Sequence, residues 1–452
     1  MSRYLIQNLS AMPTVAGSAN SIRIQDGVIT ALGEDLPLED GEIAIDGCHC
    51  VAYPGFVNTH HHLAQSVLKG IPEGRQVPLG EWLAQVPYRY WPKITPEDMY
   101  VAAKVGFYEL LRSGVATCAD QHYLYHAGTS PELEDAVWQA AEELGIRFAL
   151  CRGATTTTGS HRGMQGNRIQ PETLDMALSR MEASRQRYHD GSELSMRRLV
   201  VAPTSLVHTS PKDDLLAFGK FAKANGLKRH SHLLEVSYDE QVAQTQHGMS
   251  AVDYAESCGW LGEDVWFAHL VKADRPAIEK LAQSGTRIAH CPTSNSRLGS
   301  GIAPVIEMAQ AGMKITLGVD GSASSEGGSM LQEMNLAWLL HRTQHGADAT
   351  SPEGVMGLAT ENGADLLGFK TGQLAVGYGA DIVLYRLDNP RLAGIHQSEW
   401  APVMAGEPCE IHTSLVNGKP VVQDGRVLGV DEQQLAQDAM AVVQRLKTLV
   451  NG

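Results

Sequence analysis

The sequence predicts an α/β fold: a (β/α)8 TIM-like barrel carrying a small β-sandwich domain formed from both chain termini. Three observations predict it. Both ends of the chain are rich in short apolar strands and tight turns. The middle repeats one grammar, a helical pattern, then a glycine, then a short apolar run. That grammar recurs often enough to supply eight strands, the number that closes a barrel.

At the N-terminal end, Ile22, Ile24, Val28 and Ile29 flank Asp26-Gly27, a dipeptide suited to a hairpin turn. Eight strands then alternate with helices over residues 53–320. They are YPGFVN before His60, VATCAD to Asp120, IRFALCR to Arg152, RLVVAP to Pro203, LKRHSH to His232, DVWFAH to His269, TRIAHC to Cys291 and KITLGVD to Asp320. Several follow a glycine placed where a helix C-terminus needs a left-handed residue. The runs are short and often β-branched, as in parallel strands covered on both faces. An open doubly wound sheet is the competing architecture, but the first βα connection lacks G-x-G-x-x-G, so nothing favours a dinucleotide site. The stretch from Lys69 to Pro96 has no clear period and follows the first strand, which suits a cover over the barrel mouth. Beyond the barrel, Ala380–Tyr385 reads as a buried strand, Asn417-Gly418 and Asp424-Gly425 as turns, and Leu435, Ala439, Val442, Val443, Leu446 and Leu449 as one face of a helix. The expected division is residues 1–52 and 366–452 for the small β domain with its terminal helix, and 53–365 for the barrel.

Composition narrows the function. The 452 residues carry 36 Lys plus Arg against 51 Asp plus Glu, a net charge of −15, which argues against nucleic acid or an anionic membrane as partner. Seven cysteines are too few for a disulfide framework and suit a reducing, cytoplasmic compartment. The start, MSRYLIQNLS, lacks the pattern of a secretory signal. No apolar run approaches the ~18 residues of a membrane span. Eighteen histidines raise the question of whether they converge.

In a barrel of this kind reactive groups stand where strands end at the C-terminal face. His60 and His62 lie two apart, so extended backbone puts both on one face, with His61 pointing away. His232 ends the fifth strand, three residues before Glu235; His230, on the same face, is its rival as a ligand. His269 ends the sixth strand and Asp320 the eighth. Three imidazoles and a carboxylate suit Zn²⁺, with Fe²⁺ as the alternative, better than Mg²⁺ or Ca²⁺. The fourth strand ends in Val201–Ser205 without Lys or Glu to bridge a second ion, so one divalent metal is expected. Candidates for substrate contact are Gln65, Trp82, His122, Arg152 and Asn295, with Tyr123 beside them. His290 reads as structural, as does Cys48-His49-Cys50, which is remote from the other candidates. Pro408-Cys409 lacks the second cysteine of the P-C-x-x-C zinc deaminases.

PGFVNTHHH, HSHLLE, the histidine of WFAHLV and the aspartate of TLGVDGSAS resemble the signature of the amidohydrolase superfamily, and HCPTSNSRLGSGIAPV is similar to its branch of heterocycle deaminases and triazine hydrolases. The resemblance runs nearly the whole chain. It implies His60, His62, His232 and Asp320 as metal ligands and Glu235, His269 and Asp320 as catalytic groups. NTHHHLAQ is similar to deaminases of 8-oxoguanine and of isoxanthopterin. The implied reaction is hydrolytic deamination of a fused aminopyrimidinone, isoxanthopterin first. Attack by water activated on the metal, with Asp320 as base and Glu235 as acid, would release ammonia. The alternatives are 8-oxoguanine or guanine deamination, a triazine chloro- or aminohydrolase, ring opening of a cyclic amide, and, outside enzymes, a metal-binding scaffold. A small heterocycle and water are the expected partners, and association into a homo-oligomer is left open.

Overall fold

The computed structural model describes residues 3–451. Strands β1 (Arg3–Gln7), β2 (Ser21–Gln25), β3 (Val28–Gly33) and β4 (Ile43–Asp46) form one sheet in the order β3-β2-β1-β4, with β4 parallel to β1 and the other pairs antiparallel. The Asp26-Gly27 turn joins β2 to β3, with both residues at positive φ. β5 (Cys50–Pro54) belongs to a second sheet whose other members come from the far end of the chain.

The barrel follows as β6 (Phe56–Asn58), β7 (Val115–His122), β8 (Arg147–Ala154), β9 (Arg197–Pro203), β10 (Arg229–Leu233), β11 (Val265–His269), β12 (Arg287–His290) and β13 (Ile315–Leu317). These eight are parallel and adjacent in sequence order. The ring is completed where Thr59 N–H donates to Leu317 O and Asp320 N–H to His60 O, both at 3.0 Å. Small residues fill the interior: Ala119, Ala149, Cys151, Ala202 and Ala289, with Trp266 among them, and Leu366 and Phe369 join the same cluster. Alternate residues such as Phe148, Leu150, Leu199 and Val201 face the surrounding helices.

The remaining strands are β14 (Ile382–Arg386), β15 (Ile411–Val416), β16 (Lys419–Gln423) and β17 (Arg426–Val427), ordered β17-β16-β15-β14-β5 and antiparallel throughout. Val51 thus pairs with Tyr385 and Tyr53 with Val383. The two small sheets share a core of Ile22, Ile24 and Ile29 against Ala52, Ile382, Leu384 and Leu415. This is the β-rich unit built from both ends of the chain.

Two details differ from the sequence reading. YPGFVN is not one strand: Tyr53 and Pro54 end β5, which runs across the expected 52/53 boundary, and the barrel strand begins at Phe56. Gly55 makes the passage, because a Cβ there would lie 2.5 Å from the Cβ of Ala116. The terminal helix, Glu432–Asn451, packs on the barrel helix Pro96–Arg112 rather than on the small sheets. Leu446 and Val442 join the barrel's apolar cluster, and Arg445 pairs with the buried Asp98.

Candidate active site

Four imidazoles meet at the C-terminal face of the barrel, and each is held by its Nδ1 side. His62 donates Nδ1–H to Gln121 O at 2.8 Å and His232 donates to Thr204 O at 2.7 Å. His269 donates to Asn295 Oδ1 at 2.9 Å. His60 bonds His230 Nε2 at 2.8 Å, while His230 Nδ1–H donates to Trp266 O at 3.0 Å. A carbonyl can only accept, so His230 Nε2 is an acceptor and His60 Nδ1 carries the proton. The Nε2 lone pairs of His60, His62 and His232 are therefore free to point inward, and His269, held the same way, also turns its Nε2 inward.

They converge on Asp320. Its Oδ1 lies 3.3 Å from both His60 Nε2 and His62 Nε2, and His62 Nε2 lies 3.3 Å from His232 Nε2. Two sets, His60–His62–Asp320 and His60–His232–His269, place their ligand atoms within 4.8 Å of one another. His60 Nε2 is buried and has no hydrogen-bond partner among the described residues. Neutral imidazoles with fixed tautomers around an anionic carboxylate are what a divalent cation requires, so the donor set fits one.

The charges divide this cluster. Burial drives the pKa of His60 down to about 4 and holds His232 well below the usual imidazole range. Burial also opposes charge on His269, but Glu235 and Asp320 outweigh it and raise His269. Its Nε2 stands 3.6 Å from Glu235 Oε2 and 4.0 Å from Asp320 Oδ2. Burial alone would make Asp320 a weaker acid; His60, 3.3 Å away, and the other imidazoles around it keep it well below the ordinary carboxylate value. Ser294 Oγ–H donates to Asp320 Oδ2 at 2.6 Å and Gly321 N–H to Oδ1 at 2.7 Å. Glu235 goes the other way: burial pushes it to about 7, against the pull of His269. His269, Leu270, Asp320 and Leu234 all hold positive φ, backbone strain concentrated at one site.

A cavity of about 520 Å³ opens beside this cluster, lined by Gln65, Trp82, Tyr88, Tyr123, His208 and Leu298. The stretch after Lys69 covers it: its helix Leu79–Gln85 and Tyr88 form one wall. Of the expected substrate residues, Gln65 and Trp82 face the cavity. Gln65 donates to Tyr123 Oη at 3.2 Å and leaves its Oε1 without a partner, as Trp82 leaves its Nε1.

Three others are corrected. Arg152 forms a bidentate pair with Glu172, both bonds 2.8 Å, and its guanidinium lies 3.7 Å over the Tyr125 ring. His122 points toward Asp120, Nδ1 to Oδ2 3.6 Å, and packs on Tyr125. Both miss the cavity for one reason: each sits on the outward parity of its strand, with Phe148 and Leu150 or with Cys118. Asn295 touches His269 rather than the cavity. His61 points away from the cluster, with its Nε2 about 3.5 Å from the space beside Gly106. His290 pairs with His341 at 3.0 Å, apart from the cavity. The sequence reading missed Ser294, which lay inside HCPTSNSR, and the pair His208 and Asp239, which no motif marks.

The amidohydrolase family model matches residues 51–421 of the chain. An isoxanthopterin deaminase from an unknown prokaryotic organism is 40% identical over 467 residues, covering 98% of this chain and 97% of that protein. The 8-oxoguanine deaminase of Pseudomonas aeruginosa is 35% identical, covering 95% and 96%. Among solved structures, the zinc complex of atrazine chlorohydrolase from Arthrobacter aurescens TC1 superposes with a TM-score of 0.91 at 29% identity, covering 97% of this chain and 100% of that one.

Proposed function

We propose, on the premise that the chain belongs to the amidohydrolase family, that it deaminates a fused aminopyrimidinone, with isoxanthopterin as the substrate and ammonia as a product. Family membership makes it a hydrolase of C–N bonds outside peptides, with a divalent metal; the substrate is our inference. One observation carries the reading: a buried carboxyl poised near neutrality, Glu235, faces the same centre as a strongly acidic one, Asp320. Two carboxyls pushed apart in pKa are the pattern of an acid and a base working together. The likeness to the isoxanthopterin deaminase supports the choice of ring system.

We assign His60, His62, His232 and Asp320 to the metal. The burial-depressed imidazoles of His60 and His232 suit ligation, and the raised His269 suits a proton carrier instead. Zn²⁺ is the ion we favour. Bound there, a divalent cation polarises substrate and makes water acidic near neutral pH. Asp320, held anionic, accepts the proton of the attacking water. Glu235, protonated near neutrality, gives its proton to the ring nitrogen beside the amine-bearing carbon, so that charge does not accumulate on the ring. Asp320 returns a proton to the amine, which leaves as ammonia, and the hydroxyl proton left by the attacking water passes back to Glu235 as the ring carbonyl forms. His269, fixed by Asn295, points Nε2–H into the centre and stabilises the oxygen that develops charge. Gln65 and Trp82 line the cavity and are the residues we place beside the heterocycle.

Ammonia release from isoxanthopterin, pterin, 8-oxoguanine, guanine and cytosine, with metal content measured in parallel, tests the reading. The highest kcat/KM is expected for isoxanthopterin. A best substrate that is a purine shifts the assignment to 8-oxoguanine, which the likeness to the Pseudomonas relative supports, or to guanine. No ammonia from any bicyclic compound rejects it and turns attention to triazines. We propose a reducing, cytoplasmic setting, which seven unpaired cysteines suit.

A further inference from the structure

One buried charge at the edge of the cavity has no part in the chemistry above. Asp239 lies in the first turn of the helix Ser237–His247, four residues beyond Glu235. Its Oδ2 accepts the backbone N–H of Glu235 at 3.1 Å. Its Oδ1 lies 2.8 Å from His208 Nε2, and His208 Nδ1 lies 2.7 Å from Ser160 Oγ. A carboxylate cannot donate, so His208 gives Nε2–H to Asp239 and accepts the Ser160 hydroxyl at Nδ1. The His208 ring lies nearly parallel to Tyr238, 8° between planes and 5.3 Å between centroids. Ser160, His208, Tyr238 and Asp239 all border the cavity that Glu235 faces.

An acidic residue early in a helix often turns back to cap the backbone before it. Two features go beyond that here. The capped N–H is that of Glu235 itself, and the other carboxylate oxygen is taken by a histidine from a different loop. The residue between Leu233 and Glu235 makes the bond matter. Leu234 holds φ at +54°, a conformation that a leucine keeps only when its surroundings enforce it. The enforcing bonds are Leu270 N–H to Leu233 O, Lys272 N–H to Leu234 O and Glu235 N–H to Asp239. The first fixes the strand side of Leu234. The other two hold opposite edges of one peptide plane, Leu234 C=O and Glu235 N–H, and with it the direction in which the Glu235 side chain leaves the backbone.

We propose that Asp239 is a positioning residue for Glu235, and that the His208–Ser160 pair ties it to the segment 155–163 bordering the cavity. The inference rests on the role given to Glu235 under Proposed function. Substrates that settle against Ser160 and His208 then press on the same chain of bonds that aims the Glu235 carboxyl.

The test uses metal-loaded enzyme and the Asp239→Ala, Asp239→Asn and Glu235→Gln variants, alone and combined. Asp239→Ala is expected to lower kcat about tenfold or more with KM changed less than about threefold, at unchanged metal content. Asp239→Asn keeps an acceptor for the Glu235 N–H and is expected to lose only about two- to fivefold. A cap of merely structural value would lower the unfolding midpoint and leave both kcat values alone. Adding Asp239→Ala to Glu235→Gln is expected to cost almost nothing more, because the two act as one unit. Wild-type kcat in Asp239→Ala, or a double variant that falls by the full factor of the single one, overturns the inference. Should Asp239→Ala not fold, Asp239→Leu, similar in size but without an acceptor, takes its place, and unchanged kcat in it overturns the inference as well. A Glu235→Gln enzyme with normal turnover would instead remove the role of Glu235 itself, a separate failure.

Discussion

His60 donates Nδ1–H to Nε2 of His230 across 2.8 Å, and His230 is itself fixed by Trp266 O and lies on the Trp266 ring. The rival ligand of the sequence reading thus stands one step behind the cluster and sets the tautomer of His60. Replacing His230 by Ala frees His60 to rotate and to put its proton on Nε2. Metal affinity is expected to fall about 10–100-fold, read by competition with a chelator.

Chelation of the wild-type protein provides the second test. Removing the ion leaves four imidazole nitrogens and an anionic Asp320 facing one another in a buried space. Ammonia release should cease and return when Zn²⁺ is restored, and the unfolding midpoint should drop in the depleted protein. His62→Ala should retain the fold and bind less than a full equivalent of metal.

As the proposed proton donor, Glu235 should set the pH response. Burial raises its pKa to about 7, so it carries its proton below that pH and loses it above. A proton donor works only while protonated, so kcat should fall as pH rises through the neutral range. Glu235→Gln should lower kcat by about 10²–10⁴ at unchanged metal content and abolish that limb of the pH–rate profile.

Glu333 makes a stability prediction with the sign worked out. It is buried, accepts Thr293 N–H at 3.1 Å, and burial pushes its pKa up to about 8 despite that bond. The folded protein therefore holds a proton that the unfolded chain gives up above its ordinary value of about 4.5. Stability from this group is complete at acid pH and declines as pH rises toward 8. Glu333→Gln keeps the acceptor and removes the penalty, so its unfolding midpoint should exceed wild type at pH 8, by about 2–4 °C, and match it near pH 4.

Arg152 should behave as a structural residue. Arg152→Ala leaves Glu172 buried with Arg180 as its remaining partner at 2.8 Å. A loss of about 3 kcal/mol in unfolding free energy is expected, the low end for a broken buried pair. KM of the folded fraction should stay unchanged, which chemical denaturation and kinetics can separate.

How much of this was legible in the sequence depends on what kind of placement a residue needs. His60, His62, His232, His269 and Asp320 sit at strand ends, and the alternation of helix, glycine and apolar run is enough to find strand ends. Parity, which separates His61 from His60 and His62, is equally readable in the second and third strands. The small residues Ala119, Ala149, Cys151 and Ala202 mark the barrel interior, so Arg152 and His122, one position out of step, face the helices. Asp239 and His208 were beyond reach, because they meet only when the loop after β9 folds against the helix after β10. The split of YPGFVN at Gly55 depends on how closely Ala116 approaches. The docking of the terminal helix rests on Arg445 finding Asp98, almost 350 residues earlier.

The pairing of β5 with β14 has a consequence for the order in which the molecule can be made. Residues 50–54 lead directly into the first barrel strand, yet their hydrogen-bond partners, 382–386, leave the ribosome more than 300 residues later. One edge of Cys50–Pro54 bonds to Ser10 and Ala11, made earlier, but an emerging chain must leave the other edge of this apolar strand unpaired through most of its synthesis. Ending translation before Ile382 would strand that edge with nothing to cover it, so truncated products of this protein should aggregate even when every residue of the barrel is present.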